Sequence, residues 1–259
     1  MLIRILGCHH TETAETRLSS IMIDQALIVD AGAITSTLTD TEQSKIVAVL
    51  LTHQHLDHVR DVPTLALNGR DTGKTVPVYG TKETLTSVQT HLLNDQIYPD
   101  FTRVPSTETP RIRMFALEPL EEREIFGYQV TPVSTTHCDG SVGYFIKSAS
   151  GVSCYYSGDT NGEGLASAWH NLNPDLVIVE ITFPNSQESL ARLTNHMTPQ
   201  VLESEIAELQ RRNGGKSPQF VVTHLNAERD AEIREEIQLL SNKLGVSVIP
   251  AHEGLLFEI

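Results

Sequence analysis

Cysteine is scarce in this 259-residue chain: Cys8, Cys138 and Cys154 are an odd number with no close pair. That count argues against a disulfide framework or a thiolate zinc site and fits a reducing compartment. Long apolar runs are missing too, and none approaches the ~20 residues needed to span a bilayer. The opening Met1–Cys8 loosely echoes a lipoprotein cleavage site. Its apolar part is too short for a signal peptide, however, and reads better as a first strand. A cytoplasmic, non-membrane protein is expected. Positive charge is also in short supply, with 19 Lys and Arg against 33 Asp and Glu and a net charge of -14. Proteins that grip long nucleic acid carry a basic footprint, so composition leans against a polynucleotide partner. A small anionic substrate stays open, because bound metal ions reverse the local charge.

What is present is an alternating order of apolar runs and turns, with no solenoid repeat and no low-complexity segment. The length suits one domain over 1–259, able to bury roughly three quarters of its unfolded surface. Residues 2–7, 20–24 and 26–30 read as a meander of short strands, and 46–51 as a fully buried one. Val59, Val62, Leu65 and Ala66 mark a helix face ended by Asn68-Gly69. Thr81 is placed to cap a helix running to about Leu93, and Thr198-Pro199 to open one running to about Arg212. Further strands are predicted near 112–117, 123–126, 128–134, 142–148, 152–157, 176–181, 219–223, 246–250 and 254–258, with helices near 163–170 and 229–243. Two sheets packed face to face with helices outside satisfy this order: an α/β (α+β), four-layer αββα sandwich.

The buried run 46–51 delivers Thr52-His53-Gln54-His55-Leu56-Asp57-His58. Side chains two apart in an extended loop share a side, so His53 and His55 can converge on one ion. Asp57 and His58, where the chain turns into a helix, can face a neighbouring ion. Imidazole and carboxylate suit zinc, and also iron or manganese. One loop cannot complete two coordination spheres. His137, Asp159 and His224 each follow an apolar run and are the candidates to finish them. Cys8-His9-His10 and His252 sit in the first and last turns, where His9, His10 and His252 are candidate pocket residues.

This pattern, with Ser157-Gly158-Asp159-Thr160 and Thr223-His224, resembles the metallo-β-lactamase superfamily over nearly the whole chain. The resemblance implies that fold and two divalent metal ions. His53, His55 and His137 would hold one, Asp57, His58 and His224 the other, and Asp159 would bridge them.

Glu180 at the end of a buried strand needs a partner. His196, just before a predicted helix cap, is a plausible one, and the pair would make a general acid. Phosphodiester-cleaving branches of the superfamily carry a similar Glu and His-Met-Thr arrangement. The stretches His91-Leu92-Leu93-Asn94, Ile97–Phe101, Glu180–Asn185 and Asn195–Pro199 are similar to class II 3′,5′-cyclic nucleotide phosphodiesterases. The tRNA 3′-processing endonucleases share the Glu and His, but usually add a basic arm that is not evident here. Arg60-Asp61 stands where the cyclic phosphodiesterases have a small residue and a glycine, and Cys8-His9-His10 replaces their small first-turn residues. The expected activity is hydrolysis of cyclic AMP or GMP to the nucleoside monophosphate by a hydroxide shared between two metal ions, most simply zinc. Asp57, His196 and Glu180 would be catalytic, and His10, Tyr98, Phe101 and His252 would contact substrate. An endonuclease-like or other ester or lactone hydrolase is the alternative. Oligomeric state is left open, a homodimer included.

Overall fold

The computed structural model describes residues 1–69 and 73–259. Fourteen strands among them form two seven-stranded sheets. The first sheet contains β1 (Leu2–Gly7), β2 (Ser20–Ile23), β3 (Leu27–Val29), β4 (Ala48–Leu50), β5 (Val76–Gly80) and β6 (Ile112–Ala116) in sequence order. The second contains β7 (Arg123–Ile125), β8 (Tyr128–Ser134), β9 (Val142–Lys147), β10 (Ser153–Tyr156), β11 (Leu176–Glu180), β12 (Gln219–Thr223) and β13 (Val248–Pro250). The last strand, β14 (Leu256–Glu258), returns to the first sheet and pairs antiparallel with β1, so Leu2 faces Glu258.

Nine α-helices among the described residues flank the sheets: α1 (Ile34–Thr37), α2 (Asp40–Gln43), α3 (Leu56–Val59), α4 (Val62–Asn68), α5 (Lys82–His91), α6 (Leu165–Leu172), α7 (Glu188–Thr194), α8 (Pro199–Arg212) and α9 (Asp230–Leu244). The period-two alternation of the strands sorts the apolar residues into layers. Leu50, Tyr144, Cys154, Ile178 and Val221 point into the core between the sheets. Val49 and Val78 face outward onto Leu65 and Leu85 of the helices over the first sheet. Val177, Val179 and Phe220 face outward onto Trp169, Leu202 and Ile237 over the second. The result is the expected four-layer αββα arrangement.

Some details depart from the pattern. The single helix expected beyond the His-rich loop is two short ones, α3 and α4, with Asp61 between them. Thr81 does cap α5, accepting from the Thr84 amide at 3.4 Å. Pro199 takes the first helical position of α8, but the buried Thr198 hydroxyl makes no cap bond. No helix among the described residues is long and apolar enough to cross a membrane.

Strands β3 to β6 run parallel in one sheet and β10 to β13 in the other. Loops after the carboxyl ends of parallel strands gather at one edge and are a favoured place for a site. Here those loops carry Asp30, the His-rich segment, Asp159, Thr182 and His224.

Candidate metal centre

β4 ends in a buried strand position, and Thr52 and His53 follow it into the sheet edge. His55 is still extended as the residue before α3, whereas Asp57 and His58 lie in the helix's first turn. The loop therefore aims its four candidate ligands at two points. One gathers His53, His55, His137 and Asp159; the other gathers Asp57, His58, Asp159 and His224. All seven residues anticipated as ligands thus meet at one edge of the sandwich, with Asp159 common to both groups.

Four of the five imidazoles, all but His55, are turned by a partner on the nitrogen that faces away from the cluster. His58 Nδ1 lies 2.7 Å from Asp30 Oδ2. His53 Nδ1 lies 3.0 Å from Thr52 Oγ1, whose own hydroxyl meets Asp30. His137 Nδ1 donates to the Asn195 carbonyl at 3.1 Å, and Asn195 Nδ2 donates back to the His137 carbonyl at 3.0 Å. His224 Nδ1 lies 2.7 Å from Thr182 Oγ1. Such outward bonds fix the tautomer and orient a ligating nitrogen.

Inside the cluster, His53 Nε2, His58 Nε2 and Asp159 Oδ1 are buried without a hydrogen-bond partner. Buried polar atoms are seldom left so, and three converging ones call for an ion. The spacings agree. His55 Nδ1 and His137 Nε2 are 3.0 Å apart, His53 Nε2 and Asp159 Oδ2 3.6 Å, and His58 Nε2 and Asp159 Oδ1 3.3 Å. His224 Nε2 lies 3.1 Å from Asp57 Oδ2 and 3.4 Å from Asp159 Oδ2. Ligand atoms around a tetrahedral zinc with bonds near 2.1 Å sit roughly 3.4 Å from one another. The nitrogen and oxygen donor set fits two divalent ions.

The charges are coherent with that. Burial, helped by His58, holds His53 well below the ordinary imidazole range, so it is neutral and ready to ligate. Burial also opposes ionisation of Asp159, yet His224, His58 and His53 around it keep the carboxyl far below its ordinary value. Burial disfavours the imidazolium of His58 as well, but Asp159, Asp30 and Asp57 outweigh it and raise its pKa. A metal ligated by His58 would take the place of that proton.

Two residues of the site have left-handed backbone. Asp30 and His224 adopt φ of 59° and 62°, unusual for residues with a Cβ. Gly158, at φ 58°, brings the chain to Asp159 so closely that a Cβ would fall 2.8 Å from Thr52 Cβ.

Beside the cluster, His196 Nδ1 lies 2.8 Å from Glu180 Oε1. Glu180 is buried and also takes the Thr160 amide at 3.1 Å and the Thr182 hydroxyl at 2.8 Å. Thr182 thereby links His224 to the carboxylate that holds His196. Burial works against the imidazolium of His196, but Glu180 overcomes it and lifts the pKa to about 9. The His196 ring stacks on His224 with centroids 5.2 Å apart.

An open cleft of about 580 Å³ gives access, lined by His10, Leu56, Asp57, Arg60, His196 and His224 among others. His10 lies 5.7 Å from His224, ring to ring. The other anticipated substrate contacts do not join it. Phe101 is buried under the helices over the first sheet, with Tyr98 packed against the same cluster. The apolar rings in that Pro-rich loop serve the outer core. His252 is exposed, with Nδ1 3.0 Å from the Glu253 carbonyl, and His9 is buried between Glu253 and Asp230. Neither lines the cleft. Asp30, Thr182, Asn195 and the exposed Leu56 are site features that sequence reading missed.

With that geometry in place, the comparisons define the class. The chain belongs to the β-lactamase superfamily: the Beta-lactamase superfamily domain matches residues 28–225. It is similar to 3′,5′-cyclic-nucleotide phosphodiesterase 1 of Saccharomyces cerevisiae, 24% identical over 229 residues that cover 74% of this chain and 61% of the relative. The chain thus spans about three fifths of that relative's length in sequence. Unliganded yeast PDE1 superposes with a TM-score of 0.80 at 19% identity, covering 100% of this chain and 99% of that one. The metallo-beta-lactamase fold protein YhfI from Bacillus subtilis gives 0.76 at 21%, covering 100% and 99%. The short form of human tRNase Z gives 0.67 at 17%, again covering 100% and 99%.

Proposed function

We propose that the chain, acting as one domain over 1–259, hydrolyses 3′,5′-cyclic nucleotides to nucleoside monophosphates. The observation that carries this reading is His196, seated on buried Glu180 within stacking distance of His224. On this reading His196 is a proton donor beside the metal-ligand cluster, where it would assist departure of the sugar oxygen. The sequence similarity to the yeast cyclic-nucleotide phosphodiesterase supports it.

His53, His55 and His137 would hold one ion, Asp57, His58 and His224 the second, and Asp159 both, zinc being the choice that best suits these donors. When bound, the pair polarises the phosphoryl oxygens and makes a water nucleophilic at neutral pH.

Every other role falls to the chain's own groups. Asp57, which lines the cleft, would help hold the second ion and face the reacting phosphate. His196 keeps Nδ1 on Glu180, which leaves Nε2 to give its proton to the departing sugar oxygen. Glu180 stabilises the imidazolium before transfer, and the Thr182 hydroxyl keeps the carboxylate aligned with both histidines. His10 and the exposed side chain of Leu56 offer walls for the nucleoside.

The test is a phosphodiesterase assay on metal-quantified protein with cyclic AMP, cyclic GMP and precursor tRNA. Turnover of a cyclic nucleotide in proportion to metal content is expected. Cleavage of precursor tRNA with none of the cyclic substrates would replace this reading with an endonuclease.

A further inference from the structure

Arg60 is the one Lys or Arg side chain among the described residues lining the cleft. It lies three residues beyond Asp57 at the carboxyl end of α3, a spacing that puts both side chains on one helix face. Its guanidinium is fixed from behind. Nε donates to Asp61 Oδ1 at 3.1 Å, and Nη2 donates to the Gly32 carbonyl at 2.7 Å. Asp61 is itself buried and anchored by the Thr35 amide at 2.7 Å. Nη1 meets a different kind of partner, the carboxylate of Glu12, which stands on an exposed loop and lines the same cleft.

A preorganised guanidinium with one edge satisfied only by a surface carboxylate is built to exchange that carboxylate for a ligand anion. Arginine's planar fork favours phosphate in such an exchange. The rest of the molecule makes this local charge matter, because a net charge of -14 repels anions elsewhere on the surface.

We propose that Arg60 is a specificity-determining residue that binds a second phosphate of the substrate, displacing Glu12. The preferred ligands are then diesters that carry an additional terminal phosphate, a class wider than the cyclic nucleotides. The proposal rests on the phosphodiester reading of the site but not on the cyclic one.

Isothermal titration of the metal-loaded protein with thymidylyl-thymidine and its 5′-phosphorylated form tests it. Wild-type protein should bind the phosphorylated dinucleotide ~10- to 100-fold more tightly, the range of a charge-assisted hydrogen-bonded contact. Arg60→Gln should erase that preference. Glu12→Gln should widen it, because the competing carboxylate is gone while the contacts to Asp61 and Gly32 remain. A pair with only a structural role would instead weaken both ligands alike in Glu12→Gln. Equal affinities in wild type, a preference that survives in Arg60→Gln, or no binding of either dinucleotide overturns the proposal. Cyclic-nucleotide turnover by the same preparation reads the functional proposal separately.

Discussion

Asp30 Oδ2 lies 2.7 Å from Nδ1 of His58, with both side chains fully buried. The same carboxylate accepts from the Thr52 amide at 2.8 Å and from its hydroxyl, and Thr52 in turn contacts His53. One residue at the end of β3 therefore steers two imidazoles, one on each side of the cluster. Asp30→Asn keeps the shape but removes the charge that holds His58 in its ligating orientation. Loss of such an outer partner lowers metal affinity roughly 10- to 100-fold. Elemental analysis after dialysis against a metal buffer should show the second ion depleted. Full occupancy at the wild-type free-metal concentration would reduce Asp30 to a backbone anchor.

How legible was this in the sequence? The seven residues that converge could be picked out because each is a ligand-type side chain just past an apolar run, a local signal. Asp30, Thr182 and Asn195 act through space. Asp30 reaches His58 because β3 pairs with β4, and Thr182 reaches His224 because β11 pairs with β12. Strand order is not written in any single stretch. The αββα layering was legible because long two-sided apolar strands need helices on both outer faces. Helices α1, α2 and α7 were not, since four to seven residues carry too little periodicity to announce themselves. Tyr98 and Phe101 misled for a related reason: an aromatic in a Pro-rich loop looks free for ligand until the outer core claims it.

His196→Ala separates proton donation from ion binding. The residue's partners are Glu180 and Thr182, not the inward nitrogens of the cluster. Removing a positioned acid lowers turnover by about 10²- to 10⁴-fold. Metal content measured on the same sample should stay at the wild-type level. Turnover that survives would make His196 a packing residue and leave leaving-group protonation to solvent.

Chelation should act on stability as well as activity. Without ions, His58 Nε2 stands 3.5 Å from Asp57 and 3.3 Å from Asp159, and three buried atoms are unpartnered. An ion that binds the folded state at a hundred times its Kd adds about 2.7 kcal/mol. The urea midpoint should fall on adding chelator and return on titrating zinc back. An unchanged midpoint would mean that the cluster is not an ion site.

Acid should expose a second tie, outside the cluster of candidate metal ligands. Glu253, in the last turn, lies 2.8 Å from His9 Nδ1 and accepts the Arg17 amide at 2.9 Å, so it fastens the first turn to the last. Burial opposes its ionisation, but His9 and that amide prevail and lower its pKa from the ordinary 4.5 to about 2. A carboxyl depressed in the folded state contributes stability that is complete above its unfolded pKa. As the pH falls from about 4.5 towards 2, the unfolded chain takes up a proton that the folded chain refuses, and the contribution disappears. Glu253→Gln never has it. Urea midpoints of chelator-treated wild type and Glu253→Gln should therefore differ most near neutral pH and converge as the pH drops through that window. A gap that stays constant with pH would show that the carboxylate charge is not what joins the two ends of the fold.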